Sequence, residues 1–426
     1  MIRHRSYVAL GAALACAASL SGQAPPAYPG TLDEHPSIQY AERPAADPVA
    51  RLKRALADGT IAISRDARTG YLRPVLAALG VPEESQLLVF SKTGVQRDDT
   101  SPRNPRALYF NPSVVVGYIA GASVLELAAH DPQQGVVFYT IDQTAPVPVI
   151  TRPATCPVCH ISANTLDVPG VIDRSNIVDL EGNVMPELGS FVVNHTTPHT
   201  QRWGGWFVTS KTVAAPPYQL MGHLGNMTTR VHPSSGIGII SDMVSIEWLN
   251  SAPETRGYLS PFSDIASLMV FDHQSHAINL LTRLNWEARV AASRGPVDVS
   301  TGAVHDLVGD LADYLLFVGE VPPVVEVSPR PGFAEQLEAR FPKDRQGRSL
   351  GQLDLATRLA RYPCSYMVYT EAFDGLMPVV KEAVYRRMFD ILSGNDTQAR
   401  YAHLSPADRR AVTEILRDTK ADIPAW

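Results

Sequence analysis

Val114-Val115-Val116-Gly117-Tyr118-Ile119, Val124-Leu125-Glu126-Leu127-Ala128-Ala129 and Val136-Val137-Phe138-Tyr139-Thr140-Ile141 follow one another closely in the chain. Each is a short β-branched and aromatic run. Gly121 separates the first two, and Asp131-Pro132 through Gly135 separates the last two. Short apolar runs bounded by such residues read as strands rather than helices. Upstream, Leu87 to Phe90 and Ala107 to Phe110 repeat the pattern, and Asn111-Pro112 turns the second of these into Val114. Five such runs in succession predict an antiparallel meander.

Helical periodicity flanks this stretch on both sides. Leu52 and Leu56, then Leu72, Val75, Leu76 and Leu79, are spaced as on helices, with breaks at Gly59 and Gly70. Two or three short helices are expected there. After Ser260 the pattern predicts a helix from Pro261 to about Ala291. Further helices are expected over 303–318, 333–341, 352–361, 365–374, 378–393 and 406–418. The last has Ser405 as N-cap, Pro406 at the first helical position and Asp408 at the third. Residues 143–260 show little periodicity, which in a compact protein points to functional loops. The fold class is α+β: an antiparallel sheet region, a loop region, and a mainly helical C-terminal half. The expected units are an α+β region over 48–260 and a helical region over 261–426 packed on it.

Of the 426 residues 45% are hydrophobic and 19% charged, enough for a sizeable core. A formal net charge of −6 gives no basic footprint, so nucleic acid and anionic membrane surfaces are not expected partners. Residues 1–24 read as an export signal, with Arg3 and Arg5, an apolar run from Tyr7 to Ala18, and small residues from Ser19 to Ala24. That predicts a periplasmic or secreted protein. Residues 25–47 read as a Pro/Ala-rich linker. No later run reaches ~18 uninterrupted apolar residues, so no transmembrane span is expected. Cys16, inside the leader, raises the alternative of a lipid anchor, although Ala13 stands where a lipidation signal has leucine.

Cys156-Pro157-Val158-Cys159-His160 carries the chemistry. In a Cys-x-x-Cys-His motif two thiols three residues apart can each form a thioether to one vinyl group of a porphyrin, and the adjacent imidazole can reach the iron. One covalently attached haem c per chain is the cofactor this spacing predicts. Three alternatives use the same residues. A redox-active dithiol lacks a thioredoxin-like βαβ frame here. A zinc site needs about four ligands, and Cys364 is the one further cysteine outside the leader. A disulfide across two residues closes too small a loop to stabilise much. Cys364 reads as a small buried side chain.

The pentapeptide resembles that of c-type cytochromes. The wider chain is similar to large exported bacterial proteins with a single cytochrome c attachment motif. The similar segments are Arg106-Ala107-Leu108-Tyr109-Phe110-Asn111, His195-Thr196-Thr197-Pro198 with Arg202-Trp203-Gly204-Gly205-Trp206, His223-Leu224-Gly225-Asn226 and Asp272-His273-Gln274. The resemblance implies covalent haem and brings no established reaction with it.

With His160 as proximal ligand, the sixth position decides function: a Met or His there makes a closed electron carrier, while an open site admits small oxidants. The sixth-ligand candidates are His273, on an apolar helical face, and His223, Met221 and Met227 beside Gly222 and Gly225. His273, His223 and His195 are candidates for a distal acid/base, and the bland reading of His273 is a hydrogen-bonded core histidine. Arg202 and the indole N–H groups of Trp203 and Trp206 are candidate contacts for haem propionates, against the plainer reading of a turn between two core aromatics. The expected function is one-electron transfer at the haem to a redox partner protein. The alternative is a haem-dependent enzyme of peroxidase or oxygenase type; a haem-based sensor is a third class.

Overall fold

Residues on both faces of the central strands are apolar, and such a sheet must be covered on both sides. The computed structural model describes residues 30–179, 181–208, 257–260, 262–323 and 332–424. Helices α1 (Pro48–Ala57) and α2 (Leu72–Ala78) precede strands β1 (Leu87–Val89), β2 (Arg106–Phe110), β3 (Val114–Tyr118), β4 (Val124–Asp131), β5 (Gly135–Asp142) and β6 (Ile150–Thr151). After the one-turn helix α3 (Pro157–His160) come β7 (Arg174–Asn176) and β8 (Ser190–Val192), paired with each other, and then β9 (Trp206–Phe207). The main sheet has the order β6-β5-β4-β3-β2-β1-β9, with every pairing antiparallel. The five runs predicted as strands are β1 to β5, and the α+β class holds. β9 closes the far edge on β1; two residues are too few to show a period.

Period two splits the strands into two cores. Leu88, Phe90, Tyr109, Val116, Leu127 and Tyr139 face one way and pack under α1 and α2. Leu87, Phe110, Val115, Val136 and Phe138 face the other way, against α4 (Ile265–Ala292). Beyond α4 lie α5 (Gly302–Leu315), α6 (Phe333–Ala339), α7 (Glu371–Asp374), α8 (Pro378–Leu392) and α9 (Pro406–Thr419). Sheet and helices on both sides leave α4 with 22 of its 28 residues buried. No helix among the described residues is long and apolar enough to cross a membrane.

Four local expectations change, the first being the helix over 365–374, which is a 3-10 turn at Tyr366–Tyr369 and the separate α7, broken where the Thr370 backbone is extended. Residues 352–361 form no helix: Asp354 Oδ1 accepts from Ala356 N and Thr357 N, Leu355 has φ +62°, and Leu353 bridges to Ala360. An aspartate that satisfies the two amides after it favours a turn over a helix interior. The helix expected from Pro261 starts instead at Ile265, where the Asp264 carboxylate accepts from Ala266 N at 2.7 Å. The described part of the expected linker, from residue 30, is packed. Ile38 and Tyr40 are buried, Tyr40 Oη donates to Val136 O at 2.8 Å, and the Arg152 guanidinium covers the Tyr40 ring. Two anchors in an aperiodic stretch leave no pattern to read. At the C-terminus Ser405, Pro406 and Asp408 form the expected capping arrangement of α9.

His130, on β4, is buried between sheet and α4, with Nε2 3.3 Å from Thr282 Oγ1. Burial pushes its pKa down to about 4. A folded-state pKa below the unfolded value gives stability that is full above pH ~6.5 and is lost as pH falls toward 4. His130→Gln should remove up to about 3 kcal/mol of the wild-type decline between pH 7 and pH 4. Urea titrations of both proteins across that range measure it, and equal slopes would exclude the effect.

Candidate functional site

β6 ends at Thr151, and the chain turns into α3, whose first residue is proline, as suits a helix start. His160 N donates to Cys156 O at 3.2 Å and Ile161 N to Pro157 O at 2.9 Å. On this turn Cys159 and His160 lie three and four residues after Cys156, so all three side chains share one side. Both thiols are free; Cys156 is half-buried, Cys159 is exposed, and Val158 beside it is 79% exposed.

His160 is the more constrained partner. Its ring lies on Phe138 of β5 with 4.4 Å between centroids, and Nδ1 is 3.0 Å from Gly170 O. A carbonyl can only accept, so Nδ1 carries the proton and Nε2 keeps its lone pair. Among the described residues nothing hydrogen-bonds to Nε2. Burial also holds the imidazole pKa below its usual value and keeps the ring neutral. A neutral, oriented imidazole with one open nitrogen and a carbonyl on the other is the form a metal-ligating histidine takes.

The loop that supplies Gly170 is tied to α4. Asn279 takes both backbone groups of Val171, accepting from its N at 3.1 Å and donating Nδ2 to its O at 2.9 Å. One turn on, Arg283 Nη1 donates to Leu166 O at 2.8 Å, beside the left-handed Leu166 and Asp167. Gly170 is required by this contact, because a Cβ there would stand 2.2 Å from Asn279 Oδ1.

Burial is the first cause, and the Glu126 charge the second, of a Cys156 thiol pKa above its usual value. A redox-active cysteine pair needs the opposite shift, so the dithiol alternative loses ground. Around the motif no group of three or more His, Cys, Asp or Glu side chains gathers among the described residues, which leaves the zinc alternative without a ligand set. Free thiols, one helical turn and an oriented imidazole fit covalent haem.

The other candidates form a separate buried cluster. His273 Nδ1 meets His195 Nδ1 at 2.7 Å, and His273 Nε2 meets Ser365 Oγ at 2.7 Å. With both nitrogens engaged, His273 has none to give to iron, so its bland reading as a hydrogen-bonded core residue is the one realised. Burial takes its pKa to about 3 and that of His195 well below the usual value. His195 Nε2 is buried and unpartnered. Arg202 and the tryptophans are engaged with protein acceptors in the same region. Arg202 gives Nε to Thr197 O, Nη2 to His195 O and Nη1 to Asp272 at 3.4 Å. Trp203 Nε1 donates to Asp272, and Trp206 Nε1 donates to Arg174 O at 2.9 Å. Asp272 in turn adjoins Asp173, and burial raises both carboxyls. Arg202 and Trp203 oppose that rise at Asp272. Trp203 sits at φ +62°, a strained backbone for a bulky buried residue. Met221, His223 and Met227 lie outside the described residues.

Sequence reasoning missed Phe138, Gly170, Asn279, Asp173 and Ser365 as supports. The one available signal was spacing: Asp272, His276, Asn279 and Arg283 share a polar helical face, and that face meets the 166–173 loop. A groove of about 870 Å³ also opens between α5 and α8, lined by Asp306, Asp310, Asp313, Glu382 and Arg387. Arg387 pairs with Asp396 there and Arg400 with Asp313, and none of the motif residues lines it. Comparison with known proteins gave no matching family model, no matching curated protein and no matching solved structure.

Proposed function

We propose that the chain is an exported c-type cytochrome with one haem, attached through Cys156 and Cys159 and ligated by His160, that transfers single electrons to or from a partner redox protein. One observation carries this reading: the His160 Nδ1 contact to Gly170 O, which leaves Nε2 open on the same helical turn as two free thiols. When bound, the haem supplies one-electron redox chemistry. The protein's part is positional. Phe138 fixes the plane of the His160 ring, Gly170 fixes its tautomer, and Asn279 fixes Gly170. The exposed Cys159 and Val158 put the attachment edge at the surface, where a partner can approach.

A haem-dependent redox enzyme of peroxidase or oxygenase type is the second reading. The observation in its favour is His195 Nε2, buried without a partner. Of the described distal candidates it alone keeps a free nitrogen, though no hydrogen bond or ring contact joins it to His160 among the described residues.

Expression with a haem-maturation system should give a pyridine haemochrome spectrum and a mass increase of one haem, both abolished in Cys156→Ala/Cys159→Ala. Retention of neither in the wild-type chain would refute covalent haem. A low-spin ferric spectrum unmoved by cyanide fits the carrier; a high-spin, cyanide-sensitive spectrum that also changes in His195→Ala fits the enzyme. Gly170→Ala should cost about 1–3 kcal/mol through overpacking against Asn279, read by urea denaturation, and should reduce the covalent haem yield. Unchanged stability would show that the loop absorbs the methyl group.

A further inference from the structure

The sheet face that carries Phe138 is mostly apolar, with His130 and Thr140 among its few polar residues and one ion pair upon it. By period two, Arg106 and Leu108 of β2, Gly117 of β3, Glu126 and Ala128 of β4, and Phe138 and Thr140 of β5 all project from it. Ala128 stands opposite Phe138 and Glu126 opposite Thr140, so Glu126 is the diagonal neighbour of the ring on which His160 rests. Diagonal pairs of this kind lie within about 7–8 Å. The Glu126 charge is felt at both His160 and Cys156.

Arg106 Nε stands 3.3 Å from Glu126 Oε2, and the two side chains are 11% and 25% exposed. Arg106 is itself held: Nη2 donates to Thr93 O at 3.0 Å, and the guanidinium lies against Gly94, where a Cβ would come within 3.2 Å of Nη2. Gly94 has φ +78°, a second reason for glycine there. Glu126 makes no other hydrogen bond or ion pair among the described residues. Desolvating two charges on an apolar face costs several kcal/mol, and a well-packed apolar pair would often be more stable. A local field beside the cofactor accounts for keeping them.

We infer that Glu126 is the charge that tunes the reduction potential of the haem held by His160, and that Arg106 is the positioning residue that holds Glu126 in place and partly cancels it. The inference rests on the haem reading above. A carboxylate near the iron favours the oxidised state, which carries one more positive charge; a guanidinium favours the reduced state.

Redox titration of the purified holoprotein tests it. Glu126→Gln should raise the equilibrium constant for reduction about tenfold, which is ~59 mV for one electron, and Arg106→Gln should lower it by a similar factor. The ion pair between Arg106 and Glu126 predicts that the double variant Glu126→Gln/Arg106→Gln returns within about threefold of wild type. Glu414→Gln, which breaks the exposed pair with Arg348, should leave the potential unchanged. Thermal melting of each variant monitors the fold, and Glu126→Asp and Arg106→Lys, which keep the charges, serve should a neutral variant fail to fold. They should keep the potential near wild type. The inference is overturned if folded Glu126→Gln and Arg106→Gln carry haem and move the potential in the same direction or by less than about threefold, or if the charge-keeping variants move it as far as the neutral ones. A wild-type protein without covalent haem would defeat the haem reading itself, a distinguishable result.

Discussion

A helix buried on nearly every side must satisfy its polar side chains within the protein, and α4 sets that constraint. It carries Asp272, His273, Gln274, Asn279, Thr282 and Asn285 into the interior, where an unpaired polar group costs about 1–3 kcal/mol. Each finds at least one neighbour, while Asn285 Oδ1 and the buried Ser267 and Ser275 hydroxyls make no hydrogen bond among the described residues. Asp272 takes Arg202 and Trp203, His273 takes His195 and Ser365, and Gln274 donates to Asn111 O. Asn279 takes Val171, Thr282 meets His130, and Asn285 donates to Pro132 O. The segments that supply these partners are β4 and the turns of the meander, the loop after the cysteine motif, the segment before β9 and Ser365 before α7. The helix therefore acts as the template on which the aperiodic middle of the chain is folded.

That account explains what could be read in advance. Continuous β-branched and aromatic runs bounded by turn residues mark β1 to β5, because both faces of those strands are buried in apolar cores, and capping residues mark α9. Both are local patterns. The packing of Ile38 and Tyr40, the two-residue β9 and the turn at Asp354 depend on single contacts across the fold, which leave no periodic trace. Residues 352–361 show how a composition suited to a helix loses to one aspartate that caps its own turn.

The site divides along the same line. Cys156, Cys159 and His160 are legible as a site because the proposed covalent haem would require that spacing. Arg202, Trp203 and Trp206 were matched to a propionate on residue type alone, and residue type does not say where a donor is spent. Three-dimensional packing spends theirs on Asp272, Thr197, His195 and Arg174. The apolar helical face that marks His273 as a candidate also buries it, and its two ring nitrogens are engaged by His195 and Ser365.

The length of the chain around a single attachment motif then has a mechanical explanation. Gly170 holds His160, and three residues later Asp173 reaches the Asp272 carboxyl. On α4 the corresponding anchors, Asn279 and Asp272, are seven residues apart, about 10 Å along the axis. The short loop segment from Gly170 to Asp173 is tied to this helix at Val171 by Asn279, with the surface motif before it and the buried carboxyl and histidine cluster after it. A pull on His160 would be resisted, through Gly170, Val171 and Asn279, by the helical layer behind α4. An imidazole supported only by its own loop would have no such resistance. Holding one ring nitrogen in place to that degree takes a sheet to support the ring, a helix to fasten the loop and a second helical layer to fix the helix.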